Sequence, residues 1–516
     1  MSDTMRLAVV AAEMVPLAKV GGLGDVVGAL SDVLGGRGHE VAVFLPAYRD
    51  LSFPPGARRE NAVPELAVPL GSGTEPGGLV RLELPGHRAT VFLVTHRGPE
   101  RFFDRPGIYT DPATGEGYPD NARRFLFFSR AVLEGLKALD RRVDVLHVND
   151  AQTAFVPAFL RHQYASDPFF TRTGTLLSIH NLGYQGLEPP EVLADAGFGP
   201  EVFWPTSAFE FFGSVNFMKV GISFADLLNT VSPRYAREIR SEHEYGLGLE
   251  GVLAERSDDL RGIVNGIDYA VWNPENDPHL AARYSAQDLR GKAACRRALA
   301  ERADWPADPT ETGGDWPIVG MITRLVDQKG FDLIRAAADS LMKLDVRLFV
   351  LGTGQKEYHT LLEELARRHP NRVAVRLAFD DALAHQIEAG SDMFLMPSRY
   401  EPCGLNQLMS LRYGTVPVVR ATGGLADTVQ DFDPGTREGT GFVFQEYEAD
   451  AMLAALKRAL ATYRQPHLWH RLVQNCMAQD FSWEASATQY EDAYREVRKR
   501  VEARRFGAWA MAMARR

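Results

Sequence analysis

The residues best equipped for chemistry sit just after short apolar runs. Arg324 and Lys329 share the segment Thr323-Arg-Leu-Val-Asp-Gln-Lys-Gly330, which follows the apolar run 318–322. Two cations on one loop suit a diphosphate, since guanidinium offers a planar fork of donors and ammonium a compact charge. Surface salt bridges are the plainer reading of the same pair. Glu401 stands in the loop after the apolar run 393–396, which Pro397 and Ser398 end, and nothing near it in sequence gives it a structural task. The amides near Gly404 and Leu405 would open the next helix, a place that favours phosphate.

The first half repeats the pattern. Asn149-Asp150 closes the apolar run 143–148, and His180-Asn181 closes 175–179. Asp150 is equally suited to capping a helix, whereas His180 with Asn181 and Gly183 is harder to read as core filling. Lys19 opens the loop Lys19-Val-Gly-Gly-Leu-Gly-Asp25, which has the makings of a phosphate cradle without matching the dinucleotide fingerprint. A tight turn would use the same glycines. Phe102, Phe103, Tyr109 and Tyr118 are spread among Gly, Pro and Asp, so they either stack on sugar rings or anchor their loop. No metal site is expected. Asp431-Phe-Asp433 lies in a Pro/Gly loop, and cations with helix amides can stabilise a departing diphosphate unaided.

Positioning these groups takes strands that end at one rim of a sheet. Apolar runs at 7–11, 41–45, 91–95, 143–148, 175–179 and 227–231 alternate with helical patterns, the run at 227–231 being read as the last strand of the first half. The segment 47–90, rich in Pro and Gly, reads as hairpins at the sheet's rim. A second series begins at 318–322 and continues through 347–351, 373–377, 393–396 and 415–419. The stretch 303–316 reads as a surface insertion. The expected class is α/β, with two facing Rossmann-like doubly wound domains and an interdomain cleft lined by polar loops. The domains are placed at 1–255 and 256–487, with a helix over 488–516 packing back on the first.

A chain of 516 residues has room for two or three cores. Three cysteines give no disulfide framework, which suits a reducing cytoplasm. Residues 1–21 lack the basic start of an export signal. No run approaches the roughly 20 apolar residues of a membrane span. A net charge of -10 argues against a general nucleic-acid surface. The residues specify no oligomeric state.

Nearly end to end, the chain resembles the bacterial glycogen synthases and plant starch synthases, retaining glycosyltransferases of two Rossmann-like domains (the GT-B type). The motifs are Lys19-Val-Gly-Gly-Leu-Gly-Asp25, Tyr118-Pro-Asp-Asn121, His180-Asn181 with Tyr184-Gln-Gly186, Thr230-Val-Ser-Pro233, Val264-Asn-Gly-Ile-Asp268, Gln328-Lys-Gly330, Pro397-Ser-Arg-Tyr-Glu-Pro-Cys-Gly404 and Thr422-Gly-Gly-Leu-Ala-Asp427. The resemblance implies transfer of glucose from ADP-glucose to the non-reducing end of an α-1,4-glucan, with retention and without a cofactor. It implies Lys19, Asp150, His180, Glu401, Arg324 and Lys329 as the catalytic set. Donor contacts would come from these cations and from Gly22, Asn181, Asn265, Phe379, Cys403, Gly404, Leu405 and Asn406, with Phe379 against the adenine. Glu13, Tyr109, Tyr118 and Asn121 would meet the acceptor. Asn406 stands where the family often has Thr, Phe379 where it has Tyr, and Ala151 where it has Trp, while Asp327 puts a negative charge between the two cations. UDP-glucose or a small acceptor, a covalent intermediate on Glu401, and an inactive glucan-binding protein are the alternatives.

Overall fold

The computed structural model describes residues 4–306 and 316–514, so most of the insertion expected at 303–316 lies outside the described residues. The chain divides into two compact units. Unit 1 comprises 1–231, 236–263 and 483–516, and unit 2 comprises 232–235 and 264–482.

Unit 1 is built on β1 (Arg6–Val10), β2 (Glu40–Pro46), β3 (Arg58–Leu70), β4 (Gly73–Glu83), β5 (Thr90–His96), β6 (Val145–Asn149) and β7 (Gly174–Ile179). It continues with the short ribbon β8 (Leu187–Glu188) and β9 (Val215–Asn216), then β10 (Leu227–Thr230) and β11 (Leu260–Gly262). Nine of these form one sheet in the order β11-β10-β7-β6-β1-β2-β5-β4-β3. β6 and β7 are buried along their whole length, which is why they read as unbroken apolar runs: helices cover both faces of a parallel sheet. β3 and β4 form one long antiparallel hairpin, and β4 adds antiparallel to β5. The segment expected to hold rim hairpins therefore extends the main sheet.

β10 is not the last strand of this half. β11 pairs with it in parallel, Leu228 opposite Leu260, and the passage to unit 2 falls after Ile263, beyond the boundary expected at 255/256. The C-terminal helix starts at Trp483 and runs to Ala514, and it belongs to unit 1. Its Tyr490 and Tyr494 are fully buried. Tyr494 Oη lies 3.0 Å from His147 Nδ1, whose Nε2 is 2.6 Å from Ser178 Oγ. Burial lowers the His147 pKa to about 3, so the helix is locked on by a neutral imidazole.

Unit 2 carries β12 (Ile318–Ile322), β13 (Arg347–Leu351), β14 (Val373–Arg376), β15 (Met393–Met396), β16 (Val416–Arg420) and β17 (Phe442–Phe444). They form a six-stranded sheet in the order β14-β13-β12-β15-β16-β17, parallel throughout. Each sheet changes winding direction once. In unit 1 the reversal lies between β1 and β6, and in unit 2 between β12 and β15. At such points the loops leaving the strands' carboxyl ends diverge and leave room for a ligand.

Candidate active site

In unit 2 the two loops at the reversal are those holding Arg324 with Lys329, after β12, and Glu401, after β15. They touch directly: the Arg399 amide donates to the Gln328 carbonyl at 2.9 Å, and Gln328 Nε2 donates to the Tyr400 carbonyl at 3.3 Å. Gly330 permits this approach. It has φ 79, and a Cβ there would stand 2.1 Å from the Pro397 carbonyl oxygen, a clash that any side chain would bring.

Across this contact Lys329 Nζ donates to Glu401 Oε2 at 2.6 Å, and Ser398 Oγ donates to the same oxygen at 3.0 Å. Glu401 is buried. Of its two structural partners, Ser398 is a neighbour in sequence, whereas the cation comes from a loop 72 residues away. Arg324 is exposed on the same loop. Asp327, expected to oppose the two cations, has its carboxylate hydrogen-bonded by the Tyr358 hydroxyl.

The segment after Glu401 is held on two sides. The Gly424 amide donates to the Glu401 carbonyl at 3.1 Å, and Gln407 Nε2 donates to the carbonyls of Cys403 and Gly404 at 2.9 and 3.0 Å. The helix anticipated at Gly404 begins at Asn406 and ends at Arg412. The amides of Cys403, Gly404 and Leu405 make no backbone hydrogen bond among the described residues. Asn406 Nδ2 donates to the Ile322 carbonyl at 2.7 Å, tying this helix to the end of β12. Burial pushes the Cys403 thiol up to about 12, against an opposing hydrogen bond from the Asn265 amide. Asn265 Oδ1 is buried with no hydrogen-bond partner among the described residues, an acceptor in want of a donor such as a sugar hydroxyl. Phe379 stands apart, 83% exposed.

In unit 1 the expected residues form two linked groups around the β1/β6 reversal. Asp150 follows β6 with φ 56, a left-handed conformation that costs a non-glycine residue energy and recurs at functional sites. Its Oδ1 accepts the His180 amide at 2.7 Å. Burial pushes its carboxyl up to about 7, opposed by hydrogen bonds from the amides of His180 and Asn181. Burial also lowers the His180 pKa to about 4, so the ring is neutral at neutral pH. Asn149 Nδ2 donates to the carbonyls of Val10 and His147, which leaves its Oδ1 to accept from His180 Nε2 at 2.9 Å. The tautomer so fixed carries its proton on Nε2 and a free lone pair on Nδ1. Asn181 Oδ1 accepts the Gly183 amide at 2.9 Å in a local turn.

The second group is centred on Glu13. Its Oε2 accepts the amides of Val20 and Gly21 at 2.6 and 2.9 Å, and Tyr109 donates to its Oε1 at 2.7 Å. The glycine-rich loop does bind an anion through its amides, but that anion is the chain's own carboxylate. Gly22 is exposed and opens the helix Gly22–Gly36. Lys19 Nζ reaches Asp25 at 2.8 Å. Burial raises the Glu13 pKa, with these hydrogen bonds opposing it and nearby Asp150 adding to it.

The aromatic loop resolves mostly in favour of anchoring. Phe102 and Phe103 are core residues. Tyr118 donates to the Pro106 carbonyl at 2.6 Å, and the guanidiniums of Arg105 and Arg124 lie over its ring at 4.7 and 5.1 Å. Asn121 donates to the Tyr109 carbonyl at 2.8 Å and accepts from Arg124 at 2.6 Å. The Asp431-Phe-Asp433 carboxylates are engaged structurally, Asp431 by Arg458 and the Val443 amide, Asp433 by the Gly435 amide.

Three positioning roles are not read from the sequence, although Asn149 and Ser398 are noted at their strand ends. Asn149 orients His180, Ser398 steadies Glu401, and Tyr358 holds Asp327. Asn149 adjoins Asp150 and Ser398 lies three positions from Glu401, so proximity was a usable signal for both. Tyr358, on the helix Lys356–Arg368, gave none.

The starch synthase catalytic domain family matches residues 6–255, and the glycosyl transferases group 1 family matches 307–475. A glycogen synthase of Anaeromyxobacter dehalogenans is 48% identical over 494 residues, covering 96% of this chain and 99% of the relative. Glycogen synthases of Koribacter versatilis and Moorella thermoacetica are 45% and 42% identical, covering 96% and 98% of this chain and 99% of each relative. Among solved structures, the catalytic domain of starch synthase IV from Arabidopsis thaliana, bound to ADP and acarbose, superposes with a TM-score of 0.86 at 35% identity, covering 96% of this chain and 100% of that one. A sucrose-phosphate synthase from Thermosynechococcus elongatus shares the fold, with a TM-score of 0.58 at 19% identity over 95% of this chain and 98% of that one. With this agreement along nearly its whole length, the chain belongs to the glycogen and starch synthase family of glycosyltransferases and has their two-domain GT-B architecture.

Proposed function

We propose that the protein extends an α-1,4-glucan at its non-reducing end by transferring glucose from ADP-glucose with retention of configuration. The observation that carries this reading is the Lys329–Glu401 pair at the reversal of the unit 2 sheet, with Arg324 on the same loop. In the reaction the bond between the anomeric carbon and the phosphate oxygen breaks, and its electron pair leaves with ADP. Positive charge grows on the sugar and negative charge on the diphosphate, so fixed cations belong on one side and oxygen acceptors on the other.

Arg324 and Lys329 are assigned to the diphosphate, with Lys19 and the amides of Gly22 and Leu405 in support. Glu401, Asn265, His180 and the backbone at Cys403 and Gly404 are assigned to the donor sugar, joined by Asn181 and Asn406. Asp150 is assigned to the reacting centre. Phe379, with its exposed face, is assigned to the adenine. Glu13, Tyr109, Tyr118 and Asn121 are assigned to shaping the acceptor site, since their polar atoms already bind one another and the surrounding backbone. In the front-face course the acceptor 4-hydroxyl attacks from the side the phosphate leaves, and its proton passes to the departing phosphate oxygen. No protein nucleophile is needed.

No described helix is long and apolar enough to cross a membrane. The three cysteines are free and buried, which suits assignment to the reducing cytoplasm. Incubation with ADP-glucose and maltooligosaccharides should release ADP and lengthen the glucan. Transfer from neither ADP- nor UDP-glucose would overturn the reading, and the ratio of kcat/KM for the two donors tests the nucleotide assignment.

A further inference from the structure

Away from these residues, a cluster in unit 2 has the chemistry of a metal centre. Asp381 and His385 stand four residues apart on the helix Asp381–Gly390, and so on one face of it. His279 approaches them from the preceding segment, and the three offer ligand atoms that all lie within 4.8 Å of one another. Asp277, itself buried, holds both histidines in place. Its Oδ1 accepts the His279 amide at 2.8 Å, while its Oδ2 lies 2.7 Å from His385 Nδ1 and accepts the Tyr413 hydroxyl at 2.5 Å.

A carboxylate on one imidazole nitrogen is the support that metal-binding histidines ordinarily have: it fixes the tautomer and makes the other nitrogen more basic. His385 is 1% exposed, and no partner takes its Nε2 among the described residues. Trp272 stacks on the ring at 3.8 Å and 3°, which fixes its plane. The exposed His279 and Asp381 leave the site open to solvent for entry of an ion and a completing water. The other such group, Glu75 with His96 and Glu100, differs: His96 Nδ1 accepts the Phe102 amide, its Nε2 faces Glu75, and Glu75 is paired with Arg123.

We infer that His279, Asp381 and His385 form a binding site for a divalent transition ion of the zinc class, fastening the 277–279 segment to the helix Asp381–Gly390. Two imidazoles and one carboxylate are a donor set suited to zinc, with water in the fourth position. The site plays no part in the proposed transfer.

The test is equilibrium dialysis of the full chain against zinc, with metal quantified by mass spectrometry, for the parent, His279→Ala and Asp381→Ala. Both substitutions are at exposed positions, and the zinc-free variants should match the parent in circular dichroism. The expected result is one bound equivalent in the parent, with Kd raised at least tenfold in each variant. Zinc at a hundredfold excess over the parent Kd should raise the thermal midpoint of the parent by roughly 5 °C and that of each variant by about half as much or less. Nickel should quench a component of tryptophan fluorescence that is missing in both Trp272→Phe and His279→Ala. No bound zinc, equal Kd in parent and variants, or quenching unchanged by either fluorescence variant would overturn the inference.

Discussion

Lys329 Nζ and Glu401 Oε2 lie 2.6 Å apart, so the cation assigned to the diphosphate and the acid assigned to the sugar form one ion pair. Their side chains retain only 17% and 7% of their exposure, which makes the pair costly to break by halves. Lys329→Ala should destabilise the protein by about 3 kcal/mol by leaving Glu401 buried and unpaired. Glu401→Ala should lower kcat on the order of 100-fold. The double variant should cost clearly less stability than the sum of the singles, because residues in one network are coupled. Denaturant titrations of all four proteins check this, and strict additivity would dissolve the pair as a unit.

Asp150 sets a pH dependence. Its pKa moves from 3.8 to about 7 on burial, so between those values the folded chain keeps a proton that the unfolded chain has lost. The stabilising contribution is therefore fully present below pH 3.8 and is lost as pH rises through about 7. Its full extent is at most on the order of 4 kcal/mol. Between about pH 5 and pH 8, the stability of the parent should fall relative to Asp150→Asn. Thermal melts across that range check it, and parallel curves would count against a raised Asp150 pKa.

Phe379 isolates donor binding from stability, because its ring is 83% exposed. Phe379→Ala should leave the thermal midpoint unchanged while raising KM for ADP-glucose about tenfold, the scale of one base stacked on an aromatic. An unchanged KM would remove the ring from the adenine site.

Glu13→Ala should reach the glycine-rich loop rather than the acceptor alone. The amides of Val20 and Gly21 would lose a charged acceptor, at a cost of about 2 kcal/mol. Hydrogen exchange at these two amides should accelerate, and unchanged protection would show that the loop holds its shape without the carboxylate.

The sequence alone determined the alternation of strand and helix, because strands buried on both faces must be apolar along their length and glycine or proline must punctuate them. It also placed Asp150, His180, Arg324, Lys329 and Glu401 at strand ends. Their partners needed the tertiary structure. Lys329 meets Glu401 only because β12 and β15 are neighbours in the sheet, although β13 and β14 intervene in sequence. For the same reason β11 joins the first sheet and the final helix returns to His147, pairings across long separations that no local pattern encodes. Tyr109 and Tyr118 had the composition of sugar-stacking residues, and the fold directed their hydroxyls to Glu13 and Pro106. Side-chain chemistry is legible one residue at a time, whereas burial and pairing depend on what the folded chain brings alongside.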